Sequence, residues 1–63
     1  MEILKKYIKE QIRYAKIYKG RKEVVLAFQE RAFGAARLYD KLQNTELGIQ
    51  EFEKQLEKFQ KLY

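Results

Sequence analysis

Sixty-three residues with fourteen Lys or Arg against nine Asp or Glu make a short chain of net charge +5, and it contains no Cys, His, Ser, Pro or Trp. Without thiols or imidazoles there are no disulfide staples, no ordinary zinc or iron–sulfur sites, no cysteine nucleophile and no base titrating near neutral pH. A domain of this length buries only about 60% of the surface its unfolded chain exposes, so stability must come from a dense helical core or from association.

The excess positive charge sits at the start. Residues 1–24 carry eight Lys or Arg against three Glu, residues 25–43 three against two acids, and residues 44–63 three Lys against four Glu. A basic surface of this kind favours anionic partners such as nucleic acid, lipid headgroups or an acidic protein face.

A heptad register runs the length of the chain. Tyr7, Tyr14, Phe28, Ala35, Leu42, Ile49, Leu56 and Tyr63 fall seven apart, with Arg21 the one polar interruption. Tyr18, Val25, Ala32 and Tyr39 follow four residues later in the middle of the chain, and Leu38, Phe52 and Phe59 three later further on, which is the seam of packed helices.

The first predicted element spans about Glu2 to Lys19. At 100° per residue Leu4, Tyr7, Ile8, Ile12, Ala15 and Tyr18 share one side, and Lys5, Lys6, Lys9, Arg13 and Lys16 gather on the other. The result is a basic amphipathic helix. At Gly20 two outcomes stay open: a break, for which glycine suits the helix end, or a helix that runs on with a kink, since one interior Gly costs only about 1 kcal/mol relative to Ala. Arg21 and Lys22 offer no capping side chain for a new helix there.

The second element, about Arg21 to Gln43, is apolar on two sides, as a central helix would be. Val24, Val25, Phe28, Ala32, Ala35, Tyr39 and Leu42 form its main stripe, while Leu26 and Phe33 lie seven apart on another edge. Around Asn44 the cap chemistry is coherent: Lys41 lies in the closing turn, Asn44 suits the left-handed conformation, Thr45 can N-cap, and Glu46 follows in the first turn. The third element, about Glu46 to Leu62, sets Ile49, Phe52, Leu56, Phe59 and Tyr63 against Glu51, Glu53, Lys54, Glu57, Lys58 and Lys61.

The turn at 44–45 folds the third segment antiparallel onto the second. It predicts Leu42 opposite Ile49, Tyr39 opposite Phe52, Ala35 opposite Leu56, Ala32 opposite Phe59 and Phe28 opposite Tyr63. Ala32, Gly34, Ala35 and Ala36 would let another backbone approach closely. Glu30, Arg31 and Arg37 read as solvated charges at the rim rather than buried pairs. The fold class is therefore all-α: a hairpin of about 22–43 with 46–62 plus the basic N-terminal helix, forming a three-helix or oligomeric bundle in a single domain.

Three functions compete. The favoured one is a non-enzymatic helical module that self-associates, most simply as a two-fold dimer, or binds a protein partner. Leu4, Ile8, Ile12, Leu26 and Phe33 are its candidate helix-packing or oligomer interface. The second is nucleic-acid binding through Lys5, Lys6, Lys9, Arg13 and Lys16, with Lys19, Arg21 and Lys22 nearby and Tyr7, Tyr14 or Tyr18 as stacking candidates. The chain has no helix-turn-helix, ribbon or finger signature to orient it. The third is attachment to a membrane surface by the same amphipathic helix, against which stand the missing Trp and an apolar face explained by packing. Neither a signal-like run at the N-terminus nor the roughly 18 unbroken apolar residues of a span is present, so a cytoplasmic location is expected. No cofactor, metal or catalytic residue is expected: the candidate groups are Glu, Asp40, Lys and Tyr on a thin helical body.

Overall fold

Each predicted element forms a helix, and where each stops has a local cause. The computed structural model describes all 63 residues, with α1 at Glu2–Ile17, α2 at Lys22–Gln43 and α3 at Leu47–Gln60. Glu2 sits in the first turn of α1, next to its positive dipole end, and the Lys5 amide donates to the Met1 carbonyl at 2.9 Å. The last turn of α1 tightens, with the Tyr18 and Lys19 amides donating back three residues to Ala15 and Lys16.

Gly20 resolves the open question as a break. Its φ of +90° lies where L side chains are strained, so the chain reverses there at little cost. The Gly20 amide donates to the Leu62 carbonyl at 2.9 Å, fastening the first turn to the far end of the chain. At the other turn Asn44 takes the left-handed conformation, φ 55° and ψ 50°, as its residue type predicts. Its amide and that of Thr45 both donate to the Asp40 carbonyl.

The expected cap of α3 needs correcting. Thr45 Oγ1 does accept from the Leu47 amide at 3.3 Å, but the stronger caps come from Asp40, one turn back on α2. Its two carboxylate oxygens accept from the Gly48 amide at 2.6 Å and the Ile49 amide at 2.9 Å, and the Thr45 hydroxyl donates to it at 3.0 Å. A three-residue turn leaves the α3 N-terminus alongside the last turn of α2, close enough for one helix to cap the next.

The helices run up, down and up in a body of 36 × 17 × 15 Å, and every pair of them is in contact. The core takes Leu4, Ile8, Ile12 and Ala15 from α1, Val25, Ala32 and Ala36 from α2, Phe52 and Phe59 from α3, and Leu62 just beyond it. α2 thus presents small residues to the bundle axis, so both neighbours can approach it. The α1 helix folds back onto the hairpin rather than standing free.

The predicted hairpin seam is displaced by about one residue position around α2. Phe28, expected opposite Tyr63, instead stacks with Tyr18 and packs at a tilt against Tyr14 on the α1 side, ring centroids 5.9 and 6.0 Å away. Phe52, expected opposite Tyr39, meets Phe33 edge-on at 5.3 Å, and the Tyr63 hydroxyl donates to Gln29 at 3.1 Å. Leu42, expected against Ile49, is 74% exposed. Ala32 and Phe59 do share the core. The heptad stripe of α2 is therefore split: its Phe28, Ala35 and Tyr39 edge belongs to α1, and Phe33, expected on a separate edge as an interface candidate, packs against α3. Gly34 admits no neighbour; it faces open space, and Gly48 of α3 makes the close approach instead, against the Ala36 carbonyl and Asp40.

Glu51, expected on the polar face of α3, is instead buried and accepts from the Gln55 amide group at 2.9 Å. Gln11 of α1 is buried too, and the side-chain carbonyls of Gln11 and Gln55 have no hydrogen-bond partner. Glu30, Arg31 and Arg37 are exposed, as expected, with Arg31 over the Phe28 ring at 5.3 Å and Arg37 over Phe33 at 5.7 Å. No helix is long and apolar enough to cross a membrane.

Candidate functional site

Two surface features collect the side chains that the bundle leaves unused. The first is an apolar groove between the N-terminal half of α1 and the C-terminal half of α2. These antiparallel ends lie side by side, so residues from both line one depression of about 510 Å³. Met1, Ile3, Leu4 and Tyr7 form one wall, and Ala35, Leu38, Tyr39 and Leu42 the other, with Gln43 as the one polar member.

Ile3 is 85% exposed, Leu42 74% and Leu38 57%. Each lies just outside the arc that its helix buries: Ile3 precedes the core residue Leu4, and Leu38 and Leu42 flank Tyr39 on the α1 side of α2. Single exposed apolar residues need no explanation, but several sharing one groove form the kind of patch found at interaction sites.

The expected interface residues divide. Ile8 and Ile12 are buried at 0 and 4% exposure inside the chain's own core, which removes them from an oligomer interface while keeping their role in helix packing; Leu4, 6% exposed, packs in the core and also lines the apolar groove. Leu26 is half-buried, and Phe33 keeps 40% of its surface in solvent while its ring meets Phe52. Ile3 lies outside the interface that the sequence predicts, and Leu38 and Leu42, expected in the packed seam, are turned outward by the rotation of α2.

The second feature is basic. Lys9, Arg13 and Lys16 of α1 line a shallow depression of about 230 Å³ together with Lys58 of α3, and Ile12 forms its floor. A neighbouring depression of about 210 Å³ is lined by Lys6, Lys9, Glu10 and Arg13. Lys9 and Arg13 belong to both, so the two make one trough along α1. The structure thus brings four of the five predicted basic residues together. Lys5 stands apart, half-buried and 3.9 Å from Glu2.

Lys58 is the member that the sequence did not offer, because it belongs to a segment whose acids outnumber its lysines, and only the parallel packing of α1 and α3 delivers it. The stacking candidates fare differently. Tyr14 and Tyr18 are engaged with Phe28, and Tyr7 lines the apolar groove.

Among titratable groups Asp40 stands out. Its partial burial would raise the carboxyl pKa, but the amides of Ile49 and Gly48 and the Thr45 hydroxyl outweigh that and hold it below the usual carboxylate range. It also borders an open depression at the α2–α3 turn with Arg37, Lys41 and Thr45. With its oxygens committed to capping, the carboxylate's role there is structural. Comparison of the chain with protein-family models, with curated proteins and with solved structures gave no match.

Proposed function

We propose that this protein is a non-enzymatic helical interaction module that self-associates through the apolar groove of α1 and α2, most simply as a two-fold dimer. The observation that carries the reading is the exposure of Ile3, Leu38 and Leu42 around one groove whose other lining residues are almost all apolar. A two-fold contact needs a single patch that complements itself, and an apolar groove rimmed by protruding Ile and Leu side chains meets that need. The size of the chain adds a reason: burying this face would extend a small core whose own burial leaves little margin.

Mass by light scattering at low and high salt tests the reading. A species of twice the 7.7 kDa chain mass that persists at high salt is expected, because apolar contact is not screened. Leu42→Asp should return the protein to a monomer with its helicity intact, since that side chain lies mostly in solvent. A wild-type monomer under all conditions would overturn self-association and leave the groove to a different protein.

A further inference from the structure

The basic trough has properties that a merely solvated face lacks. Two helices, not one, deliver its charges. Lys9, Arg13 and Lys16 follow one edge of α1, and Lys58 reaches the same depression from α3. The chain's two ion pairs, Lys5 with Glu2 and Lys61 with Glu57, involve none of these four. Like charges gathered around the apolar floor of Ile12 repel one another, and an anion seated among them relieves that repulsion.

The spacing selects the kind of anion. From Lys9 to Lys16 the helix advances about 10 Å, and Lys58 adds a fourth cation from α3, so the trough presents an extended group of four charges that suits about four phosphates of a polyanionic backbone better than one isolated anion. Lipid headgroups are the other source of phosphate, but a membrane-surface helix must lay its apolar face into the bilayer. That face of α1, Leu4, Ile8, Ile12 and Ala15, is buried in the core. Tyr14, the tyrosine next to the trough, already has Phe28 at 6.0 Å and the Arg13 guanidinium over its ring at 5.7 Å, which favours backbone phosphates over unstacked bases as the ligand.

We propose that the trough between α1 and α3, with Lys9, Arg13, Lys16 and Lys58 as its cations, binds the phosphodiester backbone of duplex nucleic acid without reading its sequence. This site is on a different face from the apolar groove and does not depend on self-association.

The test is titration of a short mixed-sequence duplex at several salt concentrations. Log affinity should fall against log salt with a slope of about −3.5, the value for about four neutralised phosphates. Lys58→Ala should weaken binding several-fold and reduce the slope by about 1, whereas Lys61→Ala, which removes a lysine paired with Glu57 outside the trough, should leave the slope unchanged. Both lysines are exposed, and circular dichroism and melting of each variant confirm that the fold persists. Running the same titration on Leu42→Asp separates this site from the proposed dimer. Three results would overturn the proposal: no duplex binding at low salt, equal effects of the two lysine substitutions, or tighter binding to anionic vesicles than to the duplex.

Discussion

Asp40 shows how one side chain can fix the relation of two helices. It sits in the last turn of α2, yet accepts from the Gly48 and Ile49 amides that open α3 and from the Thr45 hydroxyl between them. These donors favour the charged carboxylate and hold its pKa below the ordinary range despite partial burial. The sign of the pH effect follows. Because the folded-state pKa is depressed, the stabilising contribution is complete above the unfolded carboxylate value of about 4 and is lost as the pH falls below it, through Asp40's own lower value. Asp40→Asn should lower Tm at neutral pH and melt with a shallower pH dependence below about pH 4 than the wild type. Equal acid slopes in the two proteins would assign the effect to other carboxylates. Asn44 and Thr45 were legible as a turn because their chemistry is local. Asp40 was not, because the amides it caps lie eight and nine residues away and are brought to it only by the turn.

At the scale of the elements, the three helices and both turns could be read from periodicity and turn residues, but the facing of α2 could not. A helix between two neighbours has apolar residues over a wide arc, and a heptad count finds the middle of that arc rather than the edge belonging to each neighbour. The small residues were the better guide. Ala32 and Ala36 lie on the axis, and Gly48 crosses the Ala36 backbone so closely that an added Cβ would lie 2.6 Å from its carbonyl oxygen. The glycines therefore differ sharply in what they tolerate. Gly48→Ala should destabilise by about 1–3 kcal/mol, since backbone must shift to admit the methyl. Gly34→Ala faces open space in mid-helix and should stabilise by about 0.5–1 kcal/mol. Urea melts of the two variants would show opposite shifts; a stabilised Gly48→Ala would mean that α2 and α3 sit further apart than the structure has them. The basic trough was half legible for the same reason as the seam: its α1 cations share a helical face, but Lys58 joins them only through packing between helices distant in sequence.

For the whole molecule, what matters is whether α1 is an appendage to a hairpin or part of one cooperative unit. It supplies Leu4, Ile8, Ile12 and Ala15 to a core of ten buried apolar residues, and it contacts both other helices. Domains of this size are stable by only about 3–9 kcal/mol, at roughly 0.05–0.15 kcal/mol per residue. Removing the fully buried Ile8 side chain as Ile8→Ala costs about 2–5 kcal/mol, a large share of that total. The Gly20 amide on the Leu62 carbonyl ties the α1–α2 turn to the end of α3, so opening α1 also frees the chain's C-terminal turn. Ile8→Ala should therefore lower Tm sharply and still unfold all three helices in one transition, with circular dichroism and near-ultraviolet aromatic signals changing together. Were helicity lost first by only as much as the 16 residues of α1 account for, with a second transition at the wild-type temperature, the hairpin would be autonomous and α1 a detachable arm. The shared core argues for the single transition: Val25 and Phe59, on helices other than α1, reach zero exposure only in a core that α1 helps to close.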